Sequence, residues 1–486
     1  MNSVFYKNAV LTLAAAFTLQ GQSQPWYQSD FPAEEFKARH ARLYDKIGNQ
    51  AVAVVQGVSL TPGFTMPRQT NEFYYLCGLE TPHSYLLLDG RSRKSTLFVP
   101  PRNRRLEASE GRVLSAEDGT QLKELVGVDD VQETEVMRTG NLLNNAPGAR
   151  AALTIYALFS PGEGSAQSRF ELAAANTAIL NDAWDARIPR EMQFVAMLAT
   201  RFPRAKLADL TPVLDELRSV KSPREVSLIR RASQIAGQGI LEAMKSTKSG
   251  MSEYELDAAA RYVFLVNGAR LEGYRSITAA GTANIWNAHY YRNMSKLDSG
   301  QLVLMDFAPD YRYYTSDVTR MWPVSGRYSP EQRELLQFVL EYRNAIIKRI
   351  RPGVTPKQIM DEAKVAMDPV FARTRFSKPS WESAARELVE RGGGVFSHPV
   401  GLAVHDDGPY NNGPLRPGHV FSIDPQLRVP DENLYIRYED VVAVTETGVE
   451  NFTDFLASEL DEMERIVQTG GGLVQKFPPV GPVLRK

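Results

Sequence analysis

Carboxylates recurring at fixed spacing inside otherwise apolar runs are the first feature of this 486-residue chain that could do chemistry. Asp306 closes the run LVLMD, and Asp317 precedes VTRMWPV 11 residues on. A turn centred on Tyr311-Arg312 would make the two direct cross-strand partners on one sheet face. Asp424, in VFSIDPQL, and Glu439, in YEDVVAVT, stand 15 apart. A turn centred on Asp431-Glu432, within Pro430-Asp-Glu-Asn433, makes these direct partners too. Like charges opposite one another repel, and the flanking Leu302–Met305 and Val441–Val444 are apolar, so two such pairs require a compensating cation. Four carboxylates converging from two related hairpins suit a dinuclear centre, in which two divalent ions about 3.5 to 4 Å apart share bridging carboxylates and a water.

The remaining ligand would be an imidazole. The single cysteine, Cys77, excludes a multi-cysteine metal site, so any ion is held by carboxylates and some of only six histidines. His398 sits in GGGVFSHPVGLAVHDDG, whose glycines allow close backbone approach; His405 follows seven residues later, and His289, in NAHYYRN, lies 17 before Asp306. His40, His83 and His419 read as ordinary hydrogen-bonded core or surface residues. An oxygen-rich site with one imidazole fits Mn2+, and Zn2+ or Co2+ can enter the same donors.

The elements that must position these residues are announced by their caps. Ser222-Pro-Arg-Glu225 and Ser329-Pro-Glu-Gln332 each supply a hydroxyl cap, a proline at the first helical position and an acid or amide at the third. A second cap follows each, Ser252 with Glu255 and Thr355 with Gln358, and after each helix pair comes one of the acid-bearing hairpins. Helix, helix, hairpin, twice over, predicts a duplicated α+β unit. Upstream, AVAVVQG, HSYLLLD and STLFVPP around Asp89-Gly90 alternate with helical stretches and predict an α/β layer domain. No G-x-G-x-x-G follows any of these strands, which argues against a dinucleotide site.

Composition narrows the class. With 43% hydrophobic and 23% charged residues the chain is a folded globular protein, and 56 basic against 57 acidic residues leave no global field for nucleic acid. Lys7 before the apolar run Ala9–Leu19, with Gly21-Gln-Ser23 after it, predicts a signal peptide over 1–23 and a periplasmic or secreted mature chain without a membrane span. The expected organisation is then an N-terminal domain over 30–215, a catalytic domain over 220–465 and a Gly/Pro-rich tail over 466–486, read as a loose extension or a strap over a neighbouring subunit.

Six segments resemble a known family. VLMDFAPDYRYYTSDVTRMWPV, HPVGLAVHD, IDPQ and RYEDVVAVTETGVENFT are similar to successive metal-site segments of the pita-bread metallopeptidases, in the aminopeptidase P and prolidase branch. RQTNEFYYLCGLETPHSYLLLDG from Arg68 resembles its creatinase-like N-terminal domain, and LRSVKSPREVSLIRRA from Leu217 its domain junction. The resemblance implies an α+β protein with a pseudo-symmetric pita-bread catalytic domain. It makes Asp306 a ligand of the first metal, Asp317 and Glu439 bridging ligands, and His398 and Asp424 ligands of the second. His289 and His405 match histidines that contact substrate or move protons, and Arg437 matches a substrate-side arginine. The implied activity is attack of a metal-bridged water on the carbonyl before a proline, and the implied assembly is a dimer or tetramer.

Three positions depart from that pattern. Asp424 replaces a usual glutamate, Gly394 a usual histidine and Ala403 a usual aspartate. Three activities therefore stand as expectations: an exported Xaa-Pro aminopeptidase, a prolidase confined to dipeptides, and a peptide-binding relative that has lost catalysis through Asp424 and Gly394.

Overall fold

The computed structural model describes residues 27–59, 66–138 and 153–479. The expected signal peptide falls outside them. In the N-terminal part, strands β1 (Ala51–Gln56), β2 (Tyr85–Asp89), β3 (Lys94–Val99), β4 (Asp130–Glu133), β5 (Thr154–Ala157) and β6 (Lys206–Asp209) form one mixed sheet in the order β4-β3-β2-β1-β5-β6. The β2–β3 hairpin turns after Asp89, which pairs with Lys94, as the Asp-Gly signal predicts. Helix Ala33–Ile47 lays Phe36, Leu43 and Ile47 into the core beneath this sheet. That core also takes in Tyr313, Tyr314, Val400 and Leu402 from the C-terminal half, so the two halves share apolar packing.

The C-terminal part carries the expected caps. Ser222, Ser252, Ser329 and Thr355 each close a capping box on helices Pro223–Ser246, Glu253–Val266, Pro330–Ile347 and Pro356–Arg373. The strands are β7 (Leu271–Glu272), β8 (Ile277–Ala280), β9 (Leu302–Asp306), β10 (Pro309–Asp310), β11 (Thr319–Pro323), β12 (Val395–Pro399), β13 (Val420–Ile423), β14 (Gln426–Val429), β15 (Leu434–Arg437), β16 (Asp440–Val444) and β17 (Val449–Asn451). They form a β11-β9-β8 sheet, a β12-β13-β16-β17 sheet and two short pairs, β10-β7 and β14-β15. A helix at Pro379–Arg391 interrupts the simple two-fold repeat.

One hairpin meets expectation and the other departs from it. In the second, Ile423↔Asp440 and Gln426↔Arg437 lie in one register on either side of Asp424 and Glu439, which is the pairing the four-residue turn predicts. In the first, Asp306 faces Thr319, not Asp317. The turn is centred one residue later than expected, on Arg312 and Tyr313, which hold φ of 53° and 75°. Both central residues are left-handed, as in mirror-type hairpin turns, but neither is the Asn, Asp or Gly that advertises one.

The tail is also corrected. Residues 466–469 continue the helix Leu460–Thr469, and Leu473 N–H donates to Glu242 at 2.5 Å while Gln475 Nε2 donates to the Ser246 carbonyl at 2.6 Å. The described part of the tail is thus fastened to helix Pro223–Ser246 of its own chain.

Candidate metal centre at the junction of the two halves

The two sheets meet where Thr319 and Glu439 exchange backbone hydrogen bonds of 3.3 and 3.2 Å. This bridge brings the first residue of β11 beside the chain between β15 and β16, and with it the carboxylates of both hairpins. Asp306, Asp317 and Asp424 are each 2% exposed and Glu439 is fully buried. One oxygen from each of Asp306, Asp317 and Glu439 lies within 4.8 Å of the others, as do an oxygen of Asp317 and one ring nitrogen each of His398 and His405. Asp317 belongs to both groups although it is not the strand partner of Asp306, because it sits two residues before β11 on the buried approach to it.

Charge at this point is unbalanced. Burial, then the neighbouring Glu439 and Asp306, holds the Asp317 carboxyl well above the usual carboxylate range. Burial raises Glu439 as well, against the pull of Arg437. Arg437 is the only guanidinium these carboxylates contact among the described residues: its Nη1 lies 2.6 Å from Asp306, its Nε 2.9 Å from Asp424 and its Nη2 2.6 Å from Glu439. Arg437, expected at the substrate, is buried and contacts three carboxylates. Asp317 Oδ1 and Glu439 Oε1 remain buried with no hydrogen-bond partner. Orphaned acceptors of this kind are costly unless a cation meets them, so the residues present fit divalent ions.

The histidines sit around this core. Burial and the nearby His405 push His398 down to about 3, so it is a neutral imidazole at neutral pH, the form that ligates metal. Its Nε2 lies 3.5 Å from Asp317 and 3.2 Å from Ser422 Oγ. His405 packs its ring 4.4 Å from that of His398. His289 is exposed, and partial desolvation and then Arg437 lower its pKa. Of the others, His40 is buried with Nε2 2.8 Å from the Leu76 carbonyl, as read from sequence. A cleft of about 400 Å3 opens beside the histidines, lined by Phe170, His398, Pro399, His405, Asp407 and Tyr410.

Asp424 is brought to the same cluster but is held by other residues. Arg437 takes Oδ1 and Gln426 Nε2 donates to Oδ2 at 2.5 Å. Gly394, where the resemblance led to expecting a histidine, adopts a φ of +81°, and a Cβ there would come within 1.9 Å of the Asp424 carbonyl oxygen. The backbone therefore excludes any side chain at that position.

Several residues at the site escaped the sequence reading. Tyr274 O–H donates to Asp306 at 2.6 Å, and Thr319 Oγ1 to Glu439 at 2.9 Å. From the N-terminal part, helix Arg169–Leu180 points its start at the centre: Ser168 Oγ accepts from His405 N–H at 3.1 Å and Glu171 Oε1 lies 3.2 Å from His405 Nδ1. The capping box of Ser168 and Glu171 is visible in SRFE, yet nothing local ties it to a histidine 234 residues away. Behind His405, buried Arg218 contacts Glu163 at 2.7 Å and Asp406, joining the two halves by charge.

Comparison with known proteins agrees with this geometry. Residues 227–446 match the metallopeptidase family M24, and residues 36–146 match the aminopeptidase P N-terminal domain. The Xaa-Pro aminopeptidase of Escherichia coli is 28% identical over 462 residues, covering 90% of this chain and 98% of the relative. That of Haemophilus influenzae is 27% identical over 91% and 99%. Among solved structures, proline aminopeptidase P II from Yersinia pestis superposes with a TM-score of 0.72 at 27% identity, covering 90% of this chain and all of that one. Aminopeptidase P from Escherichia coli with the inhibitor Pro-Leu gives 0.71 at 26%, covering 90% and 99%. With its paired N-terminal and catalytic domains in the pita-bread arrangement, the chain belongs to the aminopeptidase P branch of the M24 metallopeptidases.

Proposed function

We propose that the protein is a metal-dependent Xaa-Pro aminopeptidase that removes the first residue from peptides whose second residue is proline. The observation that carries this reading is the buried set Asp306, Asp317 and Glu439, with two orphaned oxygens, beside a neutral His398 at the edge of an open cleft. Asp306, Asp317 and Glu439 would hold one ion, and His398 would be the imidazole for a second. Divalent ions bound there supply Lewis acidity, activating water at neutral pH and polarising a carbonyl.

The chain's own groups orient and exclude. Tyr274 fixes the Asp306 carboxylate, and Arg437 braces three carboxylates against mutual repulsion. His289, neutral and open to solvent, is placed to take and return a proton at its imidazole. Phe170, Pro399 and Tyr410 give the cleft an apolar wall suited to a pyrrolidine ring. Oxygen-rich donors with an imidazole suit Mn2+, and Zn2+ or Co2+ can enter the same donors. The same reading includes export, on Lys7 and the Ala9–Leu19 run, and a homo-oligomer, for which exposed Trp184, Ile188 and Met192 offer apolar surface.

A metal-stripped sample assayed on Xaa-Pro dipeptides and Xaa-Pro-Xaa tripeptides, with Mn2+, Zn2+ and Co2+ returned singly, tests it. Tripeptide cleavage restored by an ion, Mn2+ best, is the expected result. Cleavage of dipeptides alone would make it a prolidase, and no turnover with any ion would leave only peptide binding.

A further inference from the structure

We propose that Arg428 determines specificity by holding a carboxylate of the peptide beyond the proline, and that the C-terminal carboxylate of a Xaa-Pro-Xaa tripeptide is the group that fits. The proposal deepens the peptidase reading and rests on it.

The guanidinium is held in place and left unused. Arg428 is half-buried, its Cζ 4.0 Å from the ring centroid of Tyr435 and 5.4 Å from that of Trp286. Two aromatic faces fix the cation and offset part of its desolvation. Among the described residues no group accepts a hydrogen bond from it and no carboxylate pairs with it. A cation so placed, with its forked N–H donors free, suits a carboxylate taken bidentately. Tyr435, 1% exposed, keeps a buried O–H with no partner, a second unclaimed donor in the same stack.

Strand geometry puts this stack at the site. In β14, Leu427 and Val429 enter the core while Gln426 and Arg428 share the other face. Gln426 donates to the Asp424 carboxylate and pairs across the hairpin with Arg437, which contacts Asp306, Asp424 and Glu439. The next pair on that face is Arg428↔Tyr435. Burial raises the pKa of the Tyr435 hydroxyl, and the charges that act on it are those of Arg437, Asp424, Arg428 and Glu439. Trp286, the other half of the stack, comes three residues before the exposed His289.

The spacing selects the peptide. Arg428 follows Gln426 by two residues, about 6.8 Å along an antiparallel strand. From the carbonyl before proline to the terminal carboxylate of a tripeptide is also two residues, about 7 Å when extended. The carboxylate of a dipeptide, on the proline itself, stops about one residue short. An acidic side chain on the third residue is the other source of the same chemistry.

The test varies charge at the far end of the peptide. Mn2+-loaded protein is assayed on Ala-Pro-Ala and its C-terminal amide, and on the amides Ala-Pro-Glu-NH2 and Ala-Pro-Gln-NH2. The parent is expected to show a KM for the free acid about 10- to 100-fold below that of its amide, with the difference in KM and not in kcat. Arg428→Gln, its fold checked by circular dichroism, should bring the free acid's KM up to the amide's. Arg428→Lys should recover part of the difference, since a point charge lacks the fork. If only the glutamyl amide is favoured over the glutaminyl amide, and Arg428→Gln removes that preference, Arg428 holds the carboxylate and the side chain is its source. Equal KM values within both pairs of peptides in the parent, or a folded Arg428→Gln that keeps the full preference, overturn the proposal. If Arg428→Gln does not fold, Arg428→Lys decides: a reduced preference upholds the assignment and an undiminished one overturns it. A parent that cleaves none of these peptides overturns the peptidase reading instead. Calorimetric binding to the same Mn2+-loaded protein then decides the carboxylate site: acid bound more tightly than amide, and not so in Arg428→Gln, upholds it, and equal or absent binding overturns it.

Discussion

Glu439 and Asp440 are neighbours in sequence, both fully buried, and they live in opposite electrostatic worlds. Glu439 faces the site, where Asp306, Asp317 and Asp424 join it and, among the described residues, Arg437 is the one guanidinium that answers them. Asp440 faces away, 2.8 Å from Arg320 and 2.6 Å from Arg343, with a further hydrogen bond from Thr453. Those guanidiniums overcome burial and bring Asp440 down to about 2, whereas burial and like charge push Asp317 and Glu439 up. The strand's two-residue period separates the jobs. One face is a finished ion-pair network that holds the fold; the other is left short of positive charge and is completed by cations.

The sharpest way to break this contrast is to neutralise one acid on each face. Asp317→Asn should cut kcat/KM on a Xaa-Pro-Xaa peptide by about 1000-fold or more, a loss of about 4 kcal/mol of transition-state stabilisation. In metal-free protein the same change should leave the urea midpoint unchanged or higher, since it removes a buried charge lacking a partner. Asp440→Asn should do the reverse. Leaving two buried arginines undercompensated costs about 3 to 5 kcal/mol of unfolding free energy, read by the same urea titration, while the folded fraction keeps its ions. If both variants lost stability equally without metal, the two faces would not differ as described.

Returning ions should have a smaller effect on stability. At 100 times the dissociation constant each bound ion adds about 2.7 kcal/mol, visible as a concentration-dependent rise in Tm. The smallest effect is in pH. Asp317 and Glu439 bind protons in the folded state more tightly than when unfolded, so metal-free stability should fall as pH rises through and above the usual carboxylate range. Cation-loaded protein should lose that slope. Asp440 has the opposite sign: its contribution is complete above its ordinary value of 3.8 and disappears as pH falls through about 2. Paired thermal melts across pH, with and without Mn2+, separate the two.

How much of this could be read from the sequence depended on whether the signal was local. The capped helices were legible because hydroxyl, proline and an acid or amide sit within four residues, and the Asp424–Glu439 register because Pro430–Asn433 marks its turn. The first hairpin slipped because Arg312 and Tyr313 take left-handed conformations without the residues that usually signal them. Arg437 could have been placed at the carboxylates: two residues before Glu439 on an extended segment, it shares that residue's face. Glu171 and Ser168 could not, since only the packing of one domain on the other brings a helix start to His405.

One titration reaches the centre of the account. Mn2+ is added stepwise to metal-stripped protein while Tm and Xaa-Pro-Xaa hydrolysis are followed on the same samples. The buried, undercompensated carboxylates predict that both start low, rise together and saturate at the same ratio of ion to chain. Full hydrolysis before any ion is added, or a Tm indifferent to Mn2+ throughout, would contradict it.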